Sequence, residues 1–242
     1  MPFTFSHPAL VLPFSKVKSD SVCLSALILG SMIPDFQYFI AMKLNGRFSH
    51  TLGGVFLFDL PVAILVLIIF HGLVKKPLLD NLPGYFSSRL AKLKSFNFWQ
   101  YSKQHPIGLV LCILIGTASH LVWDGFTHSD GMFTGIFPGL LQVIDVNGLP
   151  ELPVYRYLQH ISSVIGAIAI LIVFHKMPAE DQQTKPDLRF WTVLTFFSVL
   201  ALVIRMSFGV EYYGDMVTIL ISSGLVGLIL ASAVMKFGWN RM

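Results

Sequence analysis

Charged side chains are scarce in this chain: Asp, Glu, Lys and Arg make up 12% of its 242 residues, where soluble globular proteins carry roughly 25%. That is too few polar groups to cover a water-soluble domain of 27.0 kDa, so part of the solvent must be lipid. Cysteine is nearly absent. Cys23 and Cys112 both lie inside apolar runs, where a thiol behaves as a small hydrophobe, which argues against a disulfide framework and against a thiolate metal site. No basic segment followed by an apolar run and a small-residue cleavage site opens the chain, so no cleaved signal peptide is expected. Internal repeats and low-complexity tracts are also missing. The net charge of +4 would point a soluble protein towards nucleic acid. In a chain this apolar the basic residues orient helices instead, and nucleic acid is not an expected partner.

What is present is hydrophobicity: 54% apolar residues and a mean hydropathy of +0.69. Six spans of about 20 residues would use roughly 120 apolar positions, close to what the chain holds, so residues 1–242 read as a single membrane domain. Apolar stretches at 52–73, 107–127, 158–175, 190–208 and 215–237 are each long enough to cross the hydrocarbon. The first 45 residues are broken by Pro8, Pro13 and Pro34 and read as a pair of short helices over 7–15 and 21–33, with Ser6 as N-cap of the first. The fold class is therefore all-α: a polytopic transmembrane helix bundle of five full spans plus an N-terminal pair of short helices.

Loops then sort by charge. Placing 16–20, 74–106, 176–189 and the C-terminal tail on one side collects 13 of the 17 Lys and Arg there, and the positive-inside rule makes that side cytoplasmic. The loop 74–106, with leucines and Phe86 among its lysines, reads as an amphipathic segment on the inner leaflet.

On that topology the acids and histidines gather near the opposite, outward end. His7 opens the first short helix, Asp35 closes the second, His50 precedes the 52–73 span, His120, Asp124 and His128 end the 107–127 span, and His160 lies near the start of the next. His120, Asp124 and His128 stand at i, i+4 and i+8, on one helical stripe. Eight residues rise about 12 Å, too far for one ion unless the helix unwinds near Gly125, so the spacing suits two ions with Asp124 between them, or one ion and a substrate-handling histidine. Carboxylate mixed with imidazole suits zinc, manganese or iron. Ionisable groups inside a membrane persist mostly when paired, coordinated or lining a cavity. His71, His105 and His175 are scattered on the cytoplasmic side and are left out of the site. Asp59, beside Pro61, reads as a partner for backbone groups freed by the proline.

Several blocks occur in order: the opening Met1-Pro2-Phe3-Thr4-Phe5-Ser6-His7-Pro8, then Gly30-Ser31-Met32-Ile33-Pro34-Asp35, Ser49-His50-Thr51-Leu52-Gly53-Gly54, the His120–His128 cluster, and Tyr155-Arg156-Tyr157-Leu158-Gln159-His160. Together they resemble an uncharacterised family of bacterial integral membrane proteins similar to the predicted inner-membrane metal-dependent hydrolases. The resemblance covers residues 1–175 and leaves 176–242 as a cytoplasmic loop plus two C-terminal spans. It implies a metal-dependent hydrolase, and the charge rule sets its site at the outer interface of the bacterial cytoplasmic membrane with a cytoplasmic C-terminus. His7, Asp35, His50, His120, Asp124 and His128 would be metal ligands, Asp124 a bridging and catalytic carboxylate, and His160 a proton carrier. Zinc is the first candidate ion and manganese or iron the alternatives. Membrane lipid is the expected surrounding and a lipid-linked phosphate ester the expected substrate, because the site lies at headgroup depth. The same residues would also serve a metal- or proton-handling transporter, or a purely structural membrane protein.

Overall fold

The computed structural model describes residues 3–17, 19–145, 148, 150–180 and 185–238. Lys18, Arg241 and the tail 239–242, which contribute to the charge argument, lie outside the described residues. Among the described residues five helices are long and apolar enough to cross a membrane: α3 (Leu52–Asn81), α4 (Pro106–Thr127), α5 (Val154–His175), α6 (Leu188–Met206) and α7 (Tyr213–Gly238). Before them come two short helices, α1 (Leu24–Gly30) and α2 (Phe36–Ala41). Between α4 and α5 the two-residue strands β1 (Val143–Ile144) and β2 (Leu152–Pro153) pair antiparallel, Val143 opposite Pro153. The protein is thus an all-helical polytopic membrane bundle.

All five expected spans are found. α3 runs further than expected because its backbone widens into π turns at Val55–Asp59 and Phe70–Val74 rather than stopping. The first of these ends two residues before Pro61, whose missing N–H and bulky ring a wider turn accommodates. The N-terminal segment is not an α-helix but two 3-10 turns, Thr4–Leu10 and Leu12–Lys16, since Pro8 and Pro13 interrupt any longer ladder. Nor is Ser6 an N-cap. Phe3 takes that position, and the Ser6 hydroxyl donates instead to the Ser163 carbonyl on α5 at 2.8 Å.

The chain forms two compact units. The first comprises Met1–Pro34, Phe48–Ala63 and Ser102–Lys176. Its centre is the crossing of α1 and α4, where Gly30 and Gly116 let the two backbones touch: a Cβ on Gly30 would collide with the Ile113 carbonyl, and one on Gly116 with the Leu27 carbonyl. Small residues at such crossings are how membrane helices approach closely. The N-terminal turns lie on α5, where the Phe3 N–H donates to the Ser163 hydroxyl at 2.9 Å. The outward side of α5 keeps Val164, Ile165, Ile168 and Leu171 exposed, an apolar face that only lipid would solvate without cost.

The second unit comprises Asp35–Arg47, Ile64–Tyr101 and Met177–Met242. Here α6 and α7 pack at Gly227, whose missing side chain admits the Leu194 carbonyl and Ser198, while Gly224 faces open space. Asp215 accepts from the N–H groups of Leu44 and Tyr212, and so caps α7. Asn81 accepts from the Asp187 N–H with its side chain and from the Trp191 indole with its backbone carbonyl, which ties the end of α3 to the start of α6.

Candidate metal centre

Four pieces of chain converge near the C-terminal end of α4. His120 and Asp124, one turn apart, come from α4 itself. His7 comes from the turn Thr4–Leu10, held on α5 by the Ser6 and Phe3 bonds. His50 ends the turn Phe48–His50, locked to the start of α3 by Thr51, whose hydroxyl caps the Gly54 N–H at 3.0 Å. Asp35 closes the turn Ile33–Asp35.

Asp124 is the hub, and it is 5% exposed. Its Oδ2 lies 3.3 Å from His120 Nε2 and 3.5 Å from His50 Nε2. Its Oδ1 lies 3.6 Å from His7 Nε2. Charge-assisted N–H···O bonds are shorter, about 2.7–2.9 Å. Two ligand atoms each 2.0–2.1 Å from one tetrahedral ion, by contrast, sit about 3.3 Å apart. One ligand-capable atom from each of Asp35, His50, His120 and Asp124 falls within 4.8 Å of all the others. This cluster of two Asp and two His, three of the four buried, could hold a metal ion.

The hydrogen bonds around the rings sharpen that fit. His120 Nδ1 lies 2.8 Å from the Ser31 carbonyl, which can only accept, so Nδ1 carries the hydrogen and a neutral ring turns its Nε2 lone pair towards the carboxylate. Two acceptors facing each other require a cation between them or a proton on the ring. The His7 ring stacks on His120 with centroids 3.9 Å apart and planes at 17°, an arrangement that disfavours a proton on both rings at once. Both ring nitrogens of His7 and both oxygens of Asp124 are buried with no hydrogen-bond partner among the described residues, although native proteins rarely leave buried polar atoms so. Two carboxylates, neutral imidazoles and one divalent ion would bring the pocket to charge balance. Orientation of a ligating histidine through its other nitrogen is the usual outer-shell arrangement, and Ser49, whose hydroxyl lies 3.0 Å from His50 Nδ1, serves His50 in this way.

The remaining two histidines are placed differently. The α-helix stops at Thr127, and His128 adopts an extended backbone. Its Nδ1 folds back to donate to the Asp124 carbonyl at 3.0 Å, and it lies 3.8 Å from Asp124 Oδ2. It therefore leaves the helical stripe and stands at the rim, with its side chain 28% exposed. His160 is exposed on α5, whereas Ser162, which accepts from the Trp123 indole at 2.9 Å, Ser163 and Gly166 turn inward. Ser31 and Ser163 escape sequence reasoning because they act through a backbone carbonyl or on a backbone N–H.

Burial holds the His7 pKa down to about 2 and lowers that of His128, against 6.5 for an unperturbed ring. Below pH 6.5 the unfolded chain therefore binds protons that the folded chain refuses, and stability falls as pH falls. Chelator-treated protein is expected to melt at a progressively lower temperature from pH 7 to pH 5, with a shallower slope in His7→Asn; a melting temperature flat over that interval would contradict the neutral-ring assignment.

The model of one family, described as Domain of unknown function (DUF4184), matches residues 1–233, and the chain belongs to that family. Neither the curated proteins nor the solved structures give a match to it.

Proposed function

We propose that this DUF4184 member is a membrane-bound metal-dependent hydrolase, and that it acts on phosphate esters of lipids at the outer interface of the cytoplasmic membrane. The observation that carries the reading is the buried Asp124 carboxylate, which faces imidazole nitrogens of His7, His50 and His120 at 3.3–3.6 Å, longer than charge-assisted hydrogen bonds, and makes no well-aligned hydrogen bond among the described residues. Asp35, His50, His120 and Asp124 would hold the ion, zinc first and manganese or iron as alternatives. Such an ion lowers the pKa of a bound water towards neutrality and polarises a phosphoryl oxygen.

The chain's own groups divide the remaining work. Asp124 presents Oδ2 to His50 and His120 and Oδ1 to His7, so it is the carboxylate able to bridge two ions. His7, kept neutral by burial, suits ligation and is too weakly basic to carry protons. The proton-carrying role considered for His160 falls more naturally to His128, whose Nδ1 is committed to the Asp124 carbonyl and whose ring stands partly exposed at the rim. His50 and His128 are the only two of the five clustered histidine and aspartate side chains of the first unit with more than a tenth of their surface open, and substrate would enter past them.

The test is turnover by protein in detergent or liposomes loaded with zinc, manganese or iron and offered lipid phosphomonoesters, phosphodiesters and carboxylic esters. Loss of several kcal/mol of transition-state stabilisation predicts at least about a 10³-fold drop in Asp124→Asn. Metal-loaded wild type that leaves all three ester classes intact would overturn the reading. A transporter is the alternative that one observation favours: the helix breaks between α1 and the turn at Ile33–Asp35, and discontinuous helices often frame transport sites. Gradient-dependent metal flux into proteoliposomes, without product release, would select it.

A further inference from the structure

A second polar site lies wholly within the other unit, at the C-terminal end of α3. There a cavity of ≈ 410 Å³ is lined by Lys75, Lys76, Asp80, Lys94, Phe98 and Trp99 among others. The volume is within the range of ligand pockets, roughly 300–1,000 Å³. Three lysines against one aspartate leave its lining with a net formal charge of +2. The aspartate is fully engaged: Asp80 Oδ2 accepts from Lys76 at 2.7 Å and Oδ1 from Lys94 at 2.9 Å. Lys75 has no share in it. Lys75 is 8% exposed and donates to a neutral acceptor, the Phe96 carbonyl, at 2.7 Å, although an ammonium has three hydrogens to give. Among the described residues Lys75 has no ion pair; a buried cation without a counter-charge is costly, and an anion in the cavity would offset that cost.

We propose that this cavity binds the phosphate of an anionic phospholipid headgroup. Its surroundings select a lipid over a soluble anion. The short helices Gly84–Arg89, Ala91–Ser95 and Phe98–Gln104 follow directly on a membrane span, and they expose Tyr85, Phe86, Leu93 and Trp99 among Arg89, Lys92 and Lys103. Aromatic and basic side chains together are the composition of a segment seated at headgroup level. The Lys94–Asp80 ion pair ties this segment to the end of α3, and the His71 ring stacks on Phe98 at 4.5 Å and 2°, so the pocket's wall and its floor are joined. The proposal is independent of the metal centre and of the hydrolase reading.

Native mass spectrometry of full-length protein in mixed micelles of phosphatidylglycerol and phosphatidylcholine tests it. Wild type should retain one phosphatidylglycerol in preference to phosphatidylcholine. A lysine near a membrane surface contributes about fivefold, so Lys75→Gln and Lys94→Gln should each weaken the preference by about that factor. Lys75→Arg should keep it, as should Lys92→Gln, which removes one exposed charge outside the cavity. If Lys75→Gln does not fold, Lys94→Gln, at a more open position, carries the test. Equal retention by wild type and the two cavity variants would overturn the site. So would an equal loss in Lys92→Gln, which would mean diffuse surface charge. Binding of inorganic phosphate with no preference between the two lipids would overturn the lipid as ligand.

Discussion

Protein purified without chelators should carry about one equivalent of a divalent transition metal, up to two if the His7 edge of Asp124 is also filled, and Asp124→Ala and His120→Ala should each lower it below about 0.1. The expectation rests on how few alternatives the cluster leaves. His120 gives its Nδ1 hydrogen to the Ser31 carbonyl, so its Nε2 meets Asp124 at 3.3 Å either as a lone pair sharing a cation or as an imidazolium. In the second case His120 would form a buried ion pair, elemental analysis of wild type would find no metal, and His120→Ala would cost about 3–5 kcal/mol by stranding a buried carboxylate. In the first case wild type gains stability when metal is added back to stripped protein, and the variants do not. His128→Ala is the informative comparison. The ring is bonded to a backbone carbonyl at the rim, so metal content should survive this change, whereas a ligand set continuing along the helical stripe would lose it. Wild type that remains metal-free after incubation with zinc, manganese and iron would dispose of the metal centre altogether.

Much of this was legible in the sequence, for reasons that differ by residue. The five spans follow from length and apolarity, because a helix in lipid must satisfy its own backbone. His120 and Asp124 were legible because a spacing of four on a confident helix fixes a shared face. His7, His50 and Asp35 stood out as polar residues beside prolines or span ends. The stripe failed at His128, since periodicity cannot tell where a helix ends when no Gly or Pro marks the residue, and here the chain turns extended at that point. Of the N-terminal pair, the second member is the expected α-helix, α1, and only the first differs in kind: prolines signal an interrupted ladder but not that 3-10 turns replace it. His160 illustrates a different limit, for nearness along a topology diagram says nothing about which way a side chain faces. The lysine-lined cavity at the end of α3 was hidden for a similar reason, because which of several lysines meets Asp80 depends on how the chain folds back after Asn81.

The α1–α4 crossing shows why the metal centre and the fold rise or fall together, and Gly116 is the place to test it. A Cβ there would meet the Leu27 carbonyl, and would lie 2.7 Å from the Ser31 nitrogen and 2.8 Å from the Gly30 carbonyl carbon. All three are backbone atoms, so no rotamer change can make room and the helices must separate. Separation moves Ser31, whose carbonyl holds the His120 ring, and Thr117, whose hydroxyl lies 3.1 Å from the Ile113 carbonyl and 3.4 Å from that of Gly30. Gly116→Leu is therefore expected to destabilise by more than about 4 kcal/mol, beyond the usual range for overpacking, and to abolish metal retention although no ligand is changed. Gly116→Ala should show the same two losses in smaller measure. Gly224→Ala, where nothing lies within 4 Å, should shift stability by no more than about 0.5 kcal/mol and keep the metal. Thermal melting in detergent beside elemental analysis of the same samples would read both effects. A Gly116→Ala protein that melts like wild type yet loses its metal would assign the glycine to the site alone, and one that keeps both would mean that α1 and α4 do not cross as closely as their glycines allow.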